Sequence, residues 1–432
     1  MGKGFGFTTM LHAMDTLTHA LSGALMARLI LVRQPAPLAG GAPSVATLPL
    51  WAGVLAGTVA GAFPDVDIVA RWWGDVAYLL NHRGVTHSLL LAPLWAALVA
   101  GVMALLLRRW MRAPSGTAAQ ASLTWRSLYV VCLAGILIHI AGDWITQFGT
   151  MLWAPLNNTR HGLGTVFIID LWFTGALLLG LLLAAVWPQR RWPAALGLGL
   201  AITWVGVTWM GQQEALEVGR AKAQTLGAPQ ARVVVMPRPA SPFNWTVAVQ
   251  HEGRYHMAHV NTRRGQPLAL TTDSNWIQRL SAPYLPVSQA PWQVIEQWGG
   301  TDAPAWVRQA WDHPSFAFYR WFAEVPALTH TTQGTADDGR AERCAWFRDL
   351  RFGFPGRDGT PFHYGLCLQG EGVDDAQVYR LQGRQRHPDP SDPKLQRRGC
   401  HPDHSRSQAA PLLATLPANR LQWKYQNDNS GL

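Results

Sequence analysis

The first half of the chain is dominated by long apolar segments with very few charges. Charged residues are sparse from about Asp15 to Gly211, whereas from about Gln212 onward charge, proline and glycine are spread as in a water-soluble protein. A helix needs roughly 20 mostly apolar residues to cross the hydrocarbon core of a bilayer. The segments therefore predict a membrane region with several spanning helices, followed by a soluble region.

Five or six segments are candidates for these spans. They are Leu17–Leu31, Leu48–Phe63, Leu89–Leu107, Leu128–Ile145, Ile168–Trp187 and Trp192–Met210. The first is short and is interrupted by His19 and Arg28. The second carries Gly53, Gly57 and Gly61, whose spacing places them on one helix face, where small residues allow another helix to approach closely.

Basic residues between the spans predict the orientation of the membrane region. The RRWMR segment at residues 108–112 and the QRR segment at residues 189–191 lie two spans apart and therefore on the same side. The positive-inside rule makes that side cytoplasmic. The loops at residues 64–81 and 148–165, and everything after Met210, then face outward. In a bacterium that location is the periplasm.

The second half of the chain alternates between strand and helix patterns. The segments ARVVVMP, NWTVAVQH, RYHMAHVN, FHYGLCL and AQVYRL are typical of strands. PWQVIEQW, APAWVRQAW and SFAFYRWFAEV resemble short amphipathic helices. The predicted fold is mainly α: a polytopic helical membrane domain at residues 1–211, followed by a soluble α+β domain at residues 212–432. A segment at residues 383–408, rich in Pro, Asp and Arg, is predicted to be flexible.

Charge and cysteine content exclude some classes of function. The formal net charge of +10 could indicate nucleic acid or an anionic membrane surface. Arginines are scattered over loops without an aromatic-interleaved stripe, so we expect the lipid bilayer as partner and no nucleic acid. The four cysteines form no CxxC pair, which argues against a zinc ribbon. Cys344 and Cys367 could form a disulfide if their region lies in an oxidising compartment.

Four clusters of ionisable residues recur at the ends of the spans. DTLTH and HIAGD each hold an aspartate and a histidine four residues apart, on one helix face. FPDVD follows a span that Pro64 is expected to end, which leaves its carboxylates on a turn or loop. HRGVTHS immediately precedes another span. The clusters supply Asp15, His19, Asp65, Asp67, His82, His87, His139 and Asp143.

The predicted topology places all four clusters at the outer face. Imidazole and carboxylate groups together suit zinc, with manganese or iron as alternatives. A tetrahedral zinc site uses only four ligands, so the surplus indicates two ions, or one ion with supporting residues around its ligands. Each cluster also has an ordinary interpretation as core histidine, solvated loop or interfacial anchor. Ionisable residues at membrane depth are costly and usually functional, which favours the metal site.

The motifs MDTLTHALSGAL, FPDVD, HRGVTHS and HIAGDWITQFGTMLWAP resemble those of the YdjM-like inner-membrane metal-dependent hydrolases, over about the first 190 residues. The resemblance implies metal binding by His19, Asp65, Asp67, His82, His87, His139 and Asp143. The family is in turn distantly similar to zinc-dependent phospholipase C and P1 nuclease, whose later HxxxE pair has no obvious counterpart here. The resemblance assigns no activity to the second half of the chain.

These features together predict a membrane-embedded hydrolase in which a metal-activated water attacks an ester or phosphoester, with a lipid or lipid-linked substrate. Asp15 or Asp67 is the candidate general base, and Arg83 would stabilise developing negative charge. Asp170, which opens an apolar segment, is a further candidate for the site. Two alternatives stay open: a metal or ion transporter, and a non-enzymatic envelope protein whose metal fastens short helices together.

Overall fold

The computed structural model of the chain describes residues 7–32, 48–111, 124–336, 339–356, 361–370, 376–382 and 385–388. The helical region comes first and the strands follow. The long helices are α1 (Phe7–Ile30), α2 (Leu50–Ala62), α4 (Ala92–Met111), α5 (Trp125–Trp144), α6 (Leu171–Val186) and α7 (Trp192–Thr225). The 3₁₀ segment Phe63–Trp73 and α3 (Asp75–Asn81) connect α2 to the loop before α4, which holds the 3₁₀ turn Val85–His87.

Four helices within the described ranges are long and apolar enough to cross a membrane, fewer than the five or six candidates in the sequence. They are Leu50–Trp73, Ala92–Trp110, Trp125–Trp144 and Trp192–Thr225. The predicted span Ile168–Trp187 corresponds to the shorter apolar helix α6. With 16 residues and about 1.5 Å of rise per residue, α6 is shorter than a hydrocarbon core of about 30 Å. The predicted span Leu17–Leu31 lies in α1, which is not among the four.

Glycines allow the helices of this bundle to touch backbone to backbone. A Cβ atom on Gly57 would lie 2.6 Å from the carbonyl oxygen of Gly23, and one on Gly61 would lie 2.5 Å from that of His19. Both distances are too short for any side chain. The glycine face of α2 therefore packs directly against α1, as the spacing predicts.

The strands form two five-stranded sheets. Their bounds are β1 (Arg232–Pro237), β2 (Asn244–His251), β3 (Arg254–Asn261), β4 (Leu285–Pro286), β5 (Gln293–Glu296), β6 (Pro326–Thr335), β7 (Ala341–Asp349), β8 (His363–Gln369), β9 (Ala376–Gln382) and β10 (Gln385–Pro388). In the first sheet β2 lies between β1 and β3, and β3 also pairs with β4 and β5. The second sheet has the antiparallel order β10-β9-β8-β7-β6.

Three short helices accompany the sheets: α8 (Trp276–Ser281), α9 (Trp306–Asp312) and α10 (Ala317–Phe322). The last two confirm the helix patterns of APAWVRQAW and SFAFYRWFAEV. The helix predicted for PWQVIEQW is wrong, because Gln293–Glu296 forms β5 and pairs antiparallel with β3. Adjacent Val294 and Ile295 are β-branched and favour a strand. Cys344 and Cys367, directly opposite each other in β7 and β8, form a disulfide.

The helices and sheets pack together within residues 1–392, which form one compact unit. Leu79 and Phe148 from the helical region share a hydrophobic core with aromatic residues that include Trp311 and Phe347. The side chain of Arg351 donates to the carbonyl oxygen of Gln147. Helix α7 runs without a break across residues 211 and 212, where the sequence analysis divides the domains. Most of the predicted flexible segment 383–408 lies outside the described residues; residues 385–388 pair with β9.

Candidate metal centre

The four clusters of ionisable residues meet at one end of the helical bundle. Asp15 and His19 come from α1, Asp65 and Asp67 from the 3₁₀ segment after α2, His82, Arg83 and His87 from the loop before α4, and His139 and Asp143 from the last turns of α5. The opposite end is basic: Arg28 donates to the Ala184 carbonyl at 2.9 Å and Arg191 to the Ile30 carbonyl at 3.1 Å. Ligand candidates and basic residues thus lie at opposite ends of the helices.

The imidazoles of His87 and His139 are the centre of the cluster. Their Nε2 atoms lie 3.0 Å apart. Nδ1 of His139 lies 2.6 Å from the carbonyl oxygen of Gly61 and therefore carries the hydrogen and donates it. Nδ1 of His87 lies 2.9 Å from the Thr86 hydroxyl and 3.4 Å from an Asp67 carboxylate oxygen. When a second group occupies Nδ1 in this way, Nε2 is the nitrogen left to face a metal.

Two carboxylates approach the same point. Oδ2 of Asp143 lies 3.0 Å from Nε2 of His87 and 3.5 Å from Nε2 of His139. Oδ1 of Asp65 lies 3.8 Å and 3.6 Å from the same two nitrogens. Asp65, His87 and His139 bring their ligand atoms within 4.8 Å of one another, close enough to hold one metal ion.

A second group overlaps the first. His19, His139 and Asp143 also bring ligand atoms within 4.8 Å of one another. Nε2 of His19 lies 3.1 Å from Oδ1 of Asp143, and the rings of His19 and His139 stack at 3.9 Å. Because the two oxygens of Asp143 face different imidazoles, this carboxylate stands between the two groups. The arrangement can accommodate one ion or two.

Unsatisfied polar atoms test whether these residues fit a metal. Among the described residues, Nε2 of His19 and both carboxylate oxygens of Asp143 are buried and make no hydrogen bond of normal geometry, although Asp143 lies within ion-pair distance of His19, His87 and Arg83. Buried polar atoms are normally bonded, so such a concentration at one point requires an explanation. A cation would satisfy all three atoms, and imidazole with carboxylate is a donor set for zinc, manganese or iron. The residues therefore fit a divalent metal.

Arg83 is held inside the cluster and is only 1 % exposed. One guanidinium nitrogen lies 3.0 Å from Asp15 and 2.9 Å from Asp143, and the other donates to the Thr146 hydroxyl at 2.7 Å. The backbone of Arg83 has φ of 55°, a left-handed conformation that costs energy for a non-glycine residue. Of the four carboxylates in the cluster, only Asp15 and Asp143 contact this guanidinium, and the remaining negative charge requires protonated imidazole or a metal.

The pKa of His87 reflects this excess of negative charge. Burial lowers the pKa of its imidazole, but the neighbouring carboxylates of Asp143, Asp65 and Asp67 outweigh burial and raise the pKa to about 9. A positive charge on the Nε2 side of His87 is therefore favoured. A proton and a metal ion compete for that position, as is general for histidine ligands.

Asp67 and His82 are predicted as ligands from the sequence, but they lie behind His87. Nδ1 of His82 lies 3.0 Å from Oδ1 of Asp67, whose other oxygen accepts from the backbone N–H of Arg83 at 2.8 Å. The ring of His82 stacks on Tyr78 at 4.6 Å. Neither residue belongs to the two groups above, and Asp67 lies between His82 and His87.

Asp170 is not brought into the cluster. It is the N-cap of α6, and one of its carboxylate oxygens accepts from the backbone N–H groups of Trp172 and Phe173, both at 2.9 Å. Asx residues are favoured at this position because they satisfy free N–H groups at the helix start. The role that the structure gives Asp170 is structural.

Three contributors to the cluster are missed by the sequence analysis. Thr16 donates to Oδ2 of Asp65 at 2.6 Å. Gly61 supplies the carbonyl that holds His139. Gly142 makes room for His19, since a Cβ there would lie 2.9 Å from Cε1 of that ring. A glycine next to a predicted ligand, as in HIAGD, is a usable signal for close approach; the other two depend on the fold.

Comparisons with known proteins agree with the membrane character of the helical region. Residues 14–215 match the model of the YdjM inner membrane protein family. The chain is also 25% identical over 158 residues to a Bacillus subtilis (strain 168) protein named "Uncharacterized protein YfhP". That alignment covers 36% of this chain and 42% of the other, so the chain spans about two fifths of the length of this relative. No solved structure matches the chain.

Proposed function

We propose that this chain, which belongs over residues 14–215 to the YdjM inner membrane protein family, is a metal-dependent hydrolase acting on an ester or phosphoester at the membrane surface. The observation that carries the proposal is that Asp65 and Asp143 both bring a carboxylate oxygen within 3.8 Å of the Nε2 atoms of His87 and His139. Zinc is the preferred metal for such ligands, with manganese or iron as alternatives.

A divalent metal held by these residues would supply a water molecule whose pKa is lowered toward neutrality and would polarise the bond under attack. Asp65 and Asp15 are the least buried carboxylates of the cluster, with side chains 15% and 12% exposed. These two carboxylates are therefore the most accessible to an incoming substrate. Asp15 directly precedes Thr16, whose hydroxyl donates to the carboxylate of Asp65. We therefore prefer Asp15 as the general base.

Arg83 acts as a positioning residue in this proposal. Because it is buried and bound to Asp15 and Asp143, it cannot also reach a substrate. Its guanidinium fixes the direction of the carboxylate oxygens of Asp15 and Asp143. This role differs from direct stabilisation of the substrate, which the sequence analysis considers.

We further propose that the metal centre and the sheets lie on the periplasmic side. Two observations support this orientation. The disulfide between Cys344 and Cys367 is typical of an oxidising compartment. Arg28 and Arg191, at the end of the bundle opposite the cluster, agree with a cytoplasmic location for that end.

A structural metal is the second candidate, because His87, His139 and Asp143 are fully buried. A metal that only fastens α5 to the neighbouring loops needs no access for substrate. This candidate makes the same prediction for metal content as the hydrolase and the opposite prediction for turnover.

The test uses the purified full-length chain. Bound metal is measured by inductively coupled plasma mass spectrometry, and hydrolysis is measured on bis(p-nitrophenyl) phosphate, p-nitrophenyl butyrate and phosphatidylglycerol vesicles. We expect metal-dependent turnover of at least one substrate, loss of metal and turnover in His87→Ala, and neither loss in the matched variant His256→Ala from β3. Bound metal without turnover on the whole panel would favour the structural candidate, and metal-dependent ion flux in liposomes would favour transport.

A further inference from the structure

A large apolar cavity lies between the start of α6 and the sheet region. Its volume is about 830 Å³. Leu171, Trp172 and Gly175 of α6 line one side, and Ile277 and Leu280 of α8 line another. The volume falls within the roughly 300–1,000 Å³ of small-molecule sites in proteins. The cavity is therefore large enough for a ligand of substantial size.

Exposed apolar side chains line part of the cavity. Leu171 and Trp172 open the short apolar helix α6 and are 43% and 57% exposed. Trp276, on the facing wall, is 56% exposed. Tryptophans are enriched at the level of the lipid headgroups because their rings are apolar with one polar edge. These side chains therefore suit a position at the boundary between lipid and water.

The two charged side chains of the lining are engaged elsewhere. Asp170 caps α6 through its carboxylate. Arg279 donates to the carbonyl oxygens of Ser274 and Thr272 at 2.9 Å and 3.0 Å. Both groups are thus partly occupied by the protein itself, and an alkyl chain needs neither.

Helix α6, whose first residues line the cavity, also contacts α1 one residue before a candidate metal ligand. The hydroxyl of Thr174, the residue before Gly175, lies 3.0 Å from the hydroxyl of Thr18. Thr18 directly precedes His19 in α1. The contact between α1 and α6 thus links the helix that lines the cavity to the helix that carries His19.

We infer that this cavity binds the hydrocarbon chain of a membrane lipid and so holds a lipid beside the metal centre. The binding itself needs no metal; only the use of the lipid as a substrate rests on the proposed function. The chain could belong to a phospholipid or to a free fatty acid, since both offer the same alkyl group.

Gly175 in α6 and Gly206 in α7 offer a matched pair of variants. A Cβ added at Gly175 or at Gly206 would meet nothing within 4 Å. Gly175→Leu places a side chain in the cavity, whereas Gly206→Leu places the same side chain on α7 away from its lining. A second pair in the sheet region is Leu280→Gln, in the lining, and Leu270→Gln, an exposed residue outside it.

The full chain is purified in detergent, stripped of lipid and titrated with palmitic acid or palmitoyl-oleoyl phosphatidylglycerol, and retained lipid is counted by native mass spectrometry. We expect one retained molecule in the wild type, Gly206→Leu and Leu270→Gln. We expect about tenfold weaker retention in Gly175→Leu and Leu280→Gln. Retention of only one probe would identify which source supplies the chain.

Equal retention in both members of each pair would overturn the inference, as would a wild type that retains neither probe. Elution as a single monodisperse species shows that each variant is folded, and the second pair decides the matter if Gly175→Leu is not. His87→Ala should lose metal and keep lipid. Lipid without metal would therefore reject the proposed function alone, and metal without lipid would reject this inference alone.

Discussion

The Nε2 atoms of His87 and His139 lie 3.0 Å apart although the two residues are separated by 52 positions in the chain. One comes from the loop before α4 and the other from the end of α5. Two nitrogens at this distance need a proton or a cation between them. The centre therefore forms only when the helices have packed, so metal binding and folding should be coupled.

Removal of the metal should lower the thermal stability of the chain. A ligand that binds only the folded state stabilises it by about 3–4 kcal/mol at 100 to 1,000 times its dissociation constant. We expect EDTA to lower the unfolding temperature in detergent and added zinc to restore it. His87→Ala should be insensitive to both. An unfolding temperature that is unchanged by EDTA after metal loss has been verified would contradict the coupling.

Gly142→Ala should weaken metal binding without removing any ligand. The added Cβ would lie 2.9 Å from Cε1 of His19 and push that ring from its place beside Asp143. Displacement of supporting groups around a metal typically costs 10- to 100-fold in affinity. The matched control is Gly101→Ala in α4, where an added Cβ meets nothing within 4 Å. Competition with a fluorescent zinc chelator measures both, and equal affinities would show that His19 is not a ligand.

Arg83→Ala should be strongly destabilising because it leaves Asp15 and Asp143 buried without their counter-charge. Removal of one partner from a buried ion pair costs about 3–5 kcal/mol. The double variant Arg83→Ala with Asp15→Asn should recover part of this loss, since one unpaired carboxylate is neutralised. Chemical denaturation of the single and double variants measures the coupling. Additive effects would mean that the pair does not interact as the structure indicates.

Acid should destabilise the sheet region below about pH 6.5. Burial, with repulsion from Arg238, lowers the pKa of His259 to about 4, and burial, with repulsion from His330 and Arg348, lowers that of His363 to about 4. Both values start from 6.5, so between pH 6.5 and 4 the unfolded chain binds more protons than the folded chain. Stability must then fall as the pH falls, by at most about 3 kcal/mol for each histidine.

Unfolding followed from pH 7 to pH 4 measures this slope. The double variant His259→Gln with His363→Gln should show a flatter dependence over that range than the wild type. An unchanged slope would mean that neither histidine is buried in its neutral form.

The disulfide between Cys344 and Cys367 gives a test of orientation. If the sheet region lies in the periplasm, the two cysteines should not react with a polyethylene glycol maleimide in the denatured chain until the chain is reduced. Reduction should then add two labels, and Cys344→Ser with Cys367→Ser should abolish that increase. Both thiols reacting before reduction would place the sheets on the cytoplasmic side.

Local patterns predicted the pairs that lie within one helix. The four-residue spacing in DTLTH and HIAGD brings Asp15 to 3.3 Å from His19, and His139 to 3.5 Å from Asp143. The glycine spacing of α2 likewise predicted a close helix contact. These features follow from helix periodicity alone, so they could be read without knowledge of the fold.

Long-range geometry was not accessible in the same way. Nothing near Asp67 or His82 distinguishes a ligand from a residue that supports a ligand, because that depends on where His139 arrives from another helix. Asp170 has the chemistry of a catalytic group, yet its position at the start of an apolar helix makes it a cap. PWQVIEQW was misassigned because its partner strand β3 lies over 30 residues earlier and decides its conformation.

The length of helix α7 has a consequence for the first sheet. Its 34 residues correspond to about 51 Å, roughly 20 Å more than the hydrocarbon core of a bilayer. It ends against the first sheet, where a Cβ at Gly219 would lie 3.1 Å from Val247. The first sheet is thus joined to the membrane region by a continuous helix and not by a flexible linker. A change in bilayer thickness or in the tilt of α7 would therefore displace the sheet.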